Sequence, residues 1–430
     1  MLVDLIRVPD PTCIDDLLDE PLGLLYLAAV LQAEGHQVRI TNLAGYSSED
    51  WKSEIKEADV YGIQLYTPTA HHGITIARYI KQRFPHKLII GGGAHPSAVP
   101  DAKDLIVFDH IVVGEGERSL IAILNAHKNK KNIPRIVKDD FIEDLDSLPF
   151  PARHLVDMHR FHRKVGGKRC FGIIGSRGCC FQCAFCDHAL FGDNVRFRSI
   201  KNIVDEIQHI IEVYNVHHFE FFDDMWTISK KRLREFYEQV KDFQITYRCN
   251  GRTDILDPEV YTLLYESGCR LICYGIESGS QRILDAMKKE TTVEKNLHAI
   301  KMAHDANIPA AGYFLLGFPG ETRKTIQETM EFIKRSDLDQ TQFYTFVPLP
   351  GCEVFKYPQR FNARIISHDF SDYFLVTGTD GCGGRTIETD ALSAEELSQE
   401  MKKIRQFLKE RGSKGGMQDY YYEKLKYKEK

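Results

Sequence analysis

The sequence has no apolar run long enough to cross a membrane. Its longest apolar stretch, residues 22–31, has about half of the roughly 20 residues that a membrane-spanning helix needs. The first residues also lack the basic segment followed by an apolar segment that marks an export signal. We therefore expect a cytoplasmic protein without a membrane span.

A strong excess of one charge is also missing. The chain has 56 Lys and Arg against 61 Asp and Glu, with a net charge of −5, and its basic residues are dispersed. A nucleic-acid footprint would need a basic stripe, so none is expected. The chain of 430 residues is 43% hydrophobic and 11% aromatic, which is enough to build the cores of two domains.

The cysteines do not have the spacing of a disulfide framework. There are eleven, an odd number, and four of them fall within residues 179–186. Cys179, Cys183 and Cys186 have the spacing C-x3-C-x2-C, and Cys180 is interpreted as a bystander. Three thiolates on one loop can hold an iron–sulfur cluster and leave one iron without a protein ligand. A zinc site completed by His188 is the open alternative.

The residues around these cysteines support the cluster. The stretch Arg177-Gly178-Cys179 … Cys183-Ala184-Phe185-Cys186 resembles the signature of the radical S-adenosylmethionine (SAM) superfamily. The resemblance implies a [4Fe–4S] cluster on Cys179, Cys183 and Cys186, with SAM chelating the open iron. It further implies that an electron from the cluster splits SAM into methionine and a 5′-deoxyadenosyl radical.

Upstream of the cysteines, residues 1–125 alternate strand and helix patterns. This order predicts a Rossmann-like, doubly wound parallel sheet, which binds ligands at the carboxyl ends of its strands. The predicted strands are residues 2–7, 35–40, 60–65, 87–90 and 110–113, and the predicted helices are residues 23–34 and 74–83.

Glycines follow the fourth and fifth predicted strands, at residues 91–93 and at Gly114 and Gly116. Backbone without side chains would let a large flat ligand lie close, although short glycine clusters are also ordinary turn signals. There is no G-x-G-x-x-G pattern after the first strand, so a dinucleotide is disfavoured.

Four short motifs in this region resemble the cobalamin-binding domain that is fused to many radical SAM enzymes. They are Pro21-Leu22-Gly23-Leu24, Gly35-His36-Gln37-Val38, Gly91-Gly92-Gly93-Ala94-His95-Pro96 and Gly114-Glu115-Gly116-Glu117. The cobalamin contacts that the resemblance implies are Thr67, Pro68, Gly91, Gly92, Gly93, Glu115 and Gly116. The D-x-H-x-x-G motif that supplies a cobalt ligand is absent, so His71, His72 and His95 are predicted at the surface or behind the contact residues.

Residues 126–165 are interpreted as a linker, with a basic run at 128–131 and prolines that favour extended backbone. Residues 166–360 again alternate strands and helices, which suits a partial (β/α)6 TIM-type barrel with its site at the strand carboxyl ends. The predicted strands are residues 171–174, 218–222, 245–249, 271–276, 311–316 and 342–346.

Polar residues at those strand ends are the candidate SAM contacts. Asp223 and Asp224 could bind the amino group or ribose of SAM, or could cap a helix. Arg252 could bind the SAM carboxylate or pair with Asp254. The resemblance places Glu277 at the fourth barrel strand.

Three more residues complete the SAM prediction. Ser278 stands beside Glu277, and Phe185 is expected against the adenine or simply packed in its loop. Gly317 opens the turn Gly317-Phe318-Pro319-Gly320-Glu321, which matches a family motif that passes the adenine through its backbone.

The last stretch, residues 361–430, is predicted as a small helical extension. Residues 393–409 have the pattern of a capped amphipathic helix, and Tyr420–Tyr422 are expected at the surface. Cys352 and Cys382 are isolated, so a second iron–sulfur centre is not expected.

Together the two resemblances imply a cobalamin-dependent radical SAM enzyme, most simply a C-methyltransferase. In the implied reaction the radical removes hydrogen from an unactivated substrate carbon, methylcobalamin supplies the methyl group, and a second SAM restores methylcobalamin. The expected partners are a small-molecule or peptide substrate and a reductant such as flavodoxin or ferredoxin. The alternatives are a cyclisation or rearrangement without methylation, an enzyme without cobalamin, and a zinc-stabilised binding module.

Overall fold

Two six-stranded parallel sheets, one in each half of the chain, form the protein. The computed structural model describes residues 1–10, 13, 15–46, 49–374 and 386–411. Tyr420–Tyr422 and Cys382, which the sequence analysis singled out, lie outside these ranges. The predicted α/β fold class is confirmed.

The first sheet has the order β2-β1-β3-β4-β5-β6, and every neighbouring pair is parallel. Its strands are β1 Leu2–Arg7, β2 Gln37–Asn42, β3 Val60–Gln64, β4 Leu88–Gly92, β5 His110–Val113 and β6 Ile136–Lys138. Its helices are α1 Leu22–Ala33, α2 Ala70–Arg83, α3 Ala94–Ala98 and α4 Gly116–Lys128. The strand order reverses between β1 and β3, which is where such sheets open a ligand crevice.

The helices of this domain cover both faces of the sheet. One core joins Leu5 to Leu24 of α1 and Ile123 of α4, and the other joins Ile63 to Ile74 of α2. Because strands buried on both faces need nearly continuous apolar runs, the first five strands could be predicted.

The sixth strand was not predicted. Residues Ile136–Lys138 add to the edge of the sheet in parallel with β5, with Ile136 opposite Ile111. They fall inside the segment interpreted as a linker. Three residues of half-buried strand give too short a pattern for sequence reasoning to separate from a loop.

The second sheet runs in chain order, β7-β8-β9-β10-β11-β12, again entirely parallel. Its strands are β7 Phe171–Ile173, β8 His218–Phe221, β9 Thr246–Gly251, β10 Cys269–Glu277, β11 Ala310–Leu316 and β12 Gln340–Thr345. Its helices are α5 Ile200–Tyr214, α6 Lys230–Val240, α7 Pro258–Glu266, α8 Gln281–Ala286, α9 Val293–Asp305 and α10 Arg323–Ser336. The strands β7 and β12 remain the two edges, as expected of a partial barrel.

Buried charged groups tie the two domains together beside α5. The Glu206 carboxylate of α5 accepts from Arg153 of the interdomain segment at 2.8 Å and also binds Arg198. Arg198 in turn donates to the Tyr26 hydroxyl of α1 at 3.2 Å. Arg153 therefore ties the interdomain segment to α5, and Arg198 ties the second domain to α1.

The C-terminal region adds a short helix α11 (Glu353–Lys356), an antiparallel hairpin and the helix α12 (Ala394–Glu410). The hairpin pairs β13 (Ala363–Ile365) with β14 (Ile387–Thr389). Ser393 and Glu396 form a capping box at the start of α12, which confirms the predicted helix and its start. Within the described residues, no helix combines the length and apolarity that crossing a bilayer requires.

Candidate functional site

The cysteine loop lies between β7 and α5, at the carboxyl end of the second sheet. Cys179, Cys183 and Cys186 are partly buried, whereas Cys180 is exposed. The Cys186 amide donates to the Cys183 carbonyl at 3.0 Å, so the last two cysteines share one tight turn. The loop thus offers three thiols inward and turns the fourth to the outside.

Two further segments hold the loop in place. The Ala184 amide donates to the Met287 carbonyl at 2.9 Å, and the Val354 amide donates to the Ala184 carbonyl at 3.2 Å. Phe185 packs on the apolar cluster that contains Ile283 and Phe318. The cysteines are therefore fixed on a supported loop.

The pKa values of the three partly buried thiols depend on one another and on a nearby carboxylate. Burial, together with Asp224, Cys183 and Cys179, raises the pKa of Cys186 to about 12. Burial also raises the pKa of Cys179 and of Cys183, and Lys289 lowers that of Cys183. Binding a metal centre here would release protons, because thiolates are the ligands.

Aspartates 223 and 224 point in different directions. Asp223 is buried beneath the loop, where its carboxylate accepts from the Gly175 amide at 2.8 Å and from the Ser176 hydroxyl. Burial raises the pKa of Asp223 to about 6. Asp224 instead lies close enough to Cys179 and Cys186 to raise the pKa of both thiols.

Glu277 ends β10 in a left-handed conformation, with φ of 63°. Its carboxylate pairs with the ammonium group of Lys289 at 2.9 Å. Non-glycine residues seldom adopt this conformation, and those that do often belong to functional sites. The side chain of Ser278 turns the other way and bonds Thr329 of α10 at 3.2 Å.

Arg252 follows β9 and stacks over Phe181 of the cysteine loop, with the guanidinium 3.4 Å from the ring centroid. It also pairs with Asp254 at 3.1 Å and donates to the Lys289 carbonyl at 3.0 Å. The expected pair with Asp254 is therefore present. Arg252 also lies at the cysteine loop, and its binding of the SAM carboxylate stays a prediction.

The turn that begins at Gly317 lies beside the same strand ends. Gly317 has φ of 90°, and an added Cβ would lie 2.6 Å from Leu397 of α12. The Glu321 carboxylate accepts from the Gly317 amide and so closes the turn. Glycine is required here by both the backbone conformation and the close approach of α12.

A second cleft opens at the carboxyl end of the first sheet. Its floor combines glycines with apolar side chains, and its roof comes from the second domain. The floor includes Gly23, Gly62, Gln64, Gly92, Gly93, Gly114 and Gly116, and the roof is Ile174, Arg177, Leu190 and Phe191. Gly93 has φ of 117°, and an added Cβ would lie 2.7 Å from the Leu65 carbonyl.

The two sites are joined by a buried ion-pair cluster, which we call the latch. It consists of Glu115, Glu117, Arg177 and Arg196. Arg177 donates to Glu115 at 2.6 Å and to Glu117 at 2.7 Å, while Arg196 donates to Glu115 at 2.7 Å. Since Arg177 lies two residues before Cys179, the latch joins the edge of the glycine cleft to the start of the cysteine loop.

Two family models match these two sites. The radical SAM superfamily model matches residues 173–333, and the B12 binding domain model matches residues 19–124. The chain belongs to the cobalamin-binding radical SAM enzymes. Its cofactors are a [4Fe–4S] cluster, SAM and cobalamin.

Similar curated proteins carry both methyltransferase and cyclase names. An uncharacterized methyltransferase of Pyrococcus horikoshii is 29% identical, over 78% of each chain. An anaerobic magnesium-protoporphyrin IX monomethyl ester cyclase of Rubrivivax gelatinosus is 28% identical, over 83% of this chain and 69% of the relative. Cytidylyl-2-hydroxyethylphosphonate methyltransferase of Streptomyces wedmorensis is 26% identical, over 78% of this chain and 77% of the relative.

Solved structures share the whole fold at low identity. The radical SAM methyltransferase TsrM from Kitasatospora setae has a TM-score of 0.71 at 16% identity, over 94% of this chain and 90% of that one. The cobalamin-dependent radical SAM enzyme OxsB has a TM-score of 0.66 at 15% identity, over 97% of this chain and 63% of that one.

The cysteine loop fits the cluster that a radical SAM domain requires. Three neighbouring thiols on a supported loop are the donor set for a cubane with one open iron. Throughout the described ranges, no three His, Cys, Asp or Glu side chains gather closely enough for a single metal ion. His188, the zinc ligand in the alternative, pairs with Asp193 at 3.3 Å.

The glycine cleft fits a large flat cofactor, because glycines leave room along part of its floor and the rest of its lining is largely apolar. Gly92, Gly93, Glu115 and Gly116 line it, as the resemblance implied. Gly91 faces the opposite side of the sheet, where an added Cβ would lie 3.1 Å from Phe108.

The other predicted cobalamin contacts lie beside this cleft. Thr67 and Pro68 belong to a helical turn after β3, and the Thr67 hydroxyl lies 3.4 Å from Nδ1 of His95. His95 is fully buried against Phe370, and burial lowers its pKa to about 4. It is thus a neutral residue behind the turn and not a surface residue.

Several site residues were missed by sequence reasoning. Lys289 follows a short helix and carries no motif, and only the fold brings it to Glu277. The roof residues Leu190 and Phe191 are likewise ordinary apolar residues in sequence. Gly62, within β3, had a usable signal, because glycine inside a strand often marks a close approach.

Glu321 predicts an unusual pH dependence of stability. Burial raises its pKa to about 8, against which the Gly317 amide and Arg282 act in the opposite direction. The folded carboxyl therefore keeps its proton up to about pH 8, while the unfolded one loses it near the usual glutamate pKa of 4.5. The contribution of Glu321 to the free energy of unfolding is complete below about pH 4.5. It falls as the pH rises from there to about 8.

We expect Glu321→Gln to remove this fall, because glutamine cannot ionise and still accepts from the Gly317 amide. The variant should gain on the order of a few kcal/mol relative to wild type between about pH 5 and pH 8. Denaturant unfolding at several pH values measures this difference. Glu266→Gln, at an exposed helix end, is the control. Parallel pH curves for Glu321→Gln and wild type would contradict the prediction.

Proposed function

We propose that this enzyme transfers a methyl group to an unactivated carbon of its substrate. The observation that carries the proposal is the latch, in which Arg177 beside the cysteine loop is bound by Glu115 and Glu117 of the glycine cleft. It joins the rim of the cobalamin cleft to the loop that holds the cluster. A substrate between the cleft and the loop would reach both the methyl donor and the radical.

When bound, the cluster and SAM supply a 5′-deoxyadenosyl radical, and cobalamin supplies the methyl group. The chain itself binds, orients and excludes water. Cys179, Cys183 and Cys186 hold the cluster, and Glu277 and Asp224 provide carboxylates at the SAM site. The apolar roof formed by Leu190 and Phe191 keeps solvent away from the cofactors.

The test is product analysis with anaerobically reconstituted protein that contains iron, sulfide and cobalamin. The expected result is 5′-deoxyadenosine together with S-adenosylhomocysteine when substrate is present. The matched control is protein reconstituted without cobalamin, which should form no methylated product. Deoxyadenosine without S-adenosylhomocysteine would contradict methyl transfer.

A cyclisation or rearrangement with the same cofactors is the second candidate. The observation that favours it is the similarity to the anaerobic cyclase, which is nearly as great as the similarity to the methyltransferase. The same assay separates the two, because this reaction would consume SAM without forming S-adenosylhomocysteine.

The proposal also includes two partners, an electron donor and a substrate. The cluster needs a one-electron donor, and a flavodoxin or ferredoxin fits that need. The substrate is a small molecule or a peptide. An oxygen-sensitive cluster and eleven cysteines in a chain without disulfide spacing support work in the cytoplasm.

A further inference from the structure

A layer of polar side chains lies on the inner face of the second sheet. Arg248 of β9 reaches across β10 and donates to the Tyr313 hydroxyl of β11 at 2.8 Å. On the way its guanidinium lies 3.4 Å from the Cys273 thiol of β10. A contact that skips a strand is possible only across the hollow side of a curved sheet, so these three side chains point into the barrel.

Gln342 of β12 belongs to the same layer. It lies directly opposite Tyr313 in the parallel pairing of β11 with β12. Its neighbour Phe343 points the other way and stacks on Phe314, which in turn contacts Phe332 of α10. Since successive side chains of a strand alternate between its two faces, Gln342 points into the barrel.

Two groups in this layer have hydrogen-bonding capacity that the protein does not use. Gln342 is 8% exposed, and within the described residues its side-chain amide has no hydrogen-bond partner. Arg248 is also 8% exposed, and its Nη1 group likewise lacks an acceptor in the part of the chain that the structure describes. Neither group is among the polar atoms that packing seals off, so both open on space inside the barrel. Buried polar groups usually have partners, and a ligand could supply them here.

The layer lies just below the strand ends that face the cysteine loop. Gly275 lies opposite Tyr313, and the ion pair of Glu277 with Lys289 covers it, since an added Cβ would lie 2.4 Å from Oε1 of Glu277. Gln342 lies three residues before the end of β12, which corresponds to about 10 Å. A substrate group held in the layer would therefore leave the rest of the substrate at the strand ends.

The charges around the layer are already balanced. Arg248 pairs with Glu220 of β8 at 3.2 Å. Glu220 also pairs with Arg163 at 2.9 Å, and Arg163 donates to Asp19 at 2.7 Å. These two guanidinium groups and two carboxylates leave no net charge. A carboxylate or phosphate bound here would be an excess buried anion, which is costly, whereas an uncharged carbonyl group would keep the balance.

We propose that the substrate carries an uncharged amide group, which binds between Arg248 and Gln342 inside the barrel. The amide oxygen accepts from Nη1 of Arg248, and the amide N–H donates to Oε1 of Gln342. A ketone or an ester has no N–H and would leave Oε1 without a partner. The inference rests on the proposed function only in that the substrate reacts at the strand ends above this layer.

Fragment binding to the reconstituted holoenzyme with SAM tests the inference. The probes are benzamide, benzoate and acetophenone, which share a phenyl ring and a carbonyl carbon and differ in charge and in the N–H group. The phenyl ring suits the neighbouring rings of Tyr313 and Tyr344, whose centres lie 6.3 Å apart. Ligand-observed NMR titration measures the affinity of each probe.

We expect benzamide to bind in about the millimolar range, which is usual for a ligand of its size. Benzoate should bind at least about 10-fold more weakly, because it adds an uncompensated buried charge. Acetophenone should bind about 3- to 10-fold more weakly than benzamide, the usual effect of losing one hydrogen bond between uncharged groups. N-methylbenzamide resembles a peptide bond, so its affinity relative to benzamide separates a peptide substrate from a primary amide.

Gln342→Leu separates a ligand-binding role from a structural one. Leucine removes a buried group that has no partner, so the variant should unfold at the same denaturant concentration as wild type or at a higher one. Its affinity for benzamide should fall about 3- to 10-fold, while its affinity for acetophenone should not fall. Thr341→Val is the control, because Thr341 lies on the opposite face of the same strand, and this variant should bind all probes as wild type does.

Benzoate that binds as tightly as benzamide would overturn the inference, as would unchanged benzamide affinity in Gln342→Leu or no benzamide binding at all. A Gln342→Leu protein that is less stable than wild type would also overturn it, because the amide would then serve the fold. Methyl transfer is judged separately by product analysis. An enzyme that binds the probes as expected but forms no S-adenosylhomocysteine would contradict methyl transfer and leave the amide site standing.

Discussion

Cys183→Ala is expected to abolish reductive cleavage of SAM. It removes one of the three thiols proposed to hold the cluster, and even substitutions of residues that only support metal ligands lower metal affinity by about 10- to 100-fold. We therefore expect more than roughly a 100-fold loss of 5′-deoxyadenosine formation, with loss of iron and sulfide. Both are measured on the same anaerobic preparation.

Cys180→Ala is the matched control, because Cys180 lies on the same loop but is exposed. It should retain the cluster and cleave SAM at close to the wild-type rate. A cluster that survives Cys183→Ala and fails in Cys180→Ala would mean that the loop presents a different set of thiols.

Arg177→Met is expected to destabilise the protein by about 3–5 kcal/mol, the usual cost of breaking a buried ion pair from one side. The substitution leaves Glu117 buried without its cation, whereas Glu115 keeps Arg196. It also removes the contacts of the guanidinium with the rings of Tyr26 and Phe191. Denaturant unfolding measures the loss, and hydrogen exchange at the Ile142 amide, which donates to Glu115, reports the latch itself.

Arg234→Met provides the comparison, since Arg234 is exposed and pairs with Glu259 at the surface. Its effect should stay within about 0.5 kcal/mol. Combining Arg177→Met with Glu117→Leu should recover part of the stability, because the unpaired carboxylate is then gone. If Arg177→Met and Arg234→Met unfold alike, the latch does not join the domains.

Much of the fold could be predicted because its strands are buried on both faces. The strands β1 and β5 have the predicted bounds, since an apolar run ends at a glycine or a polar residue in each case. The helix α12 was predicted from its capping box and its apolar stripe. The strand β6 was missed because three half-buried residues carry no periodicity.

The site was predictable where a single segment carries it and not where packing assembles it. The cysteine loop is contiguous in sequence, so its three thiols could be named in advance. Asp223 and Asp224 show the limit, because the sequence offers both equally and near a strand end one residue decides which face a side chain takes. Lys289 approaches Glu277 because its neighbours Lys288 and Glu290 adopt left-handed conformations. Nothing in the residue types at these positions predicts that conformation.

Arg177 in the latch and Arg198 beside α5 meet the same side chain of the first domain, Tyr26, one over its ring and the other at its hydroxyl. Together with the ion pairs of the latch, they make the contact between the two domains buried and charged. We expect this contact to keep the distance between the glycine cleft and the cysteine loop the same throughout turnover. A substrate would then reach the radical through an opening of fixed width, which would limit the molecules that can react.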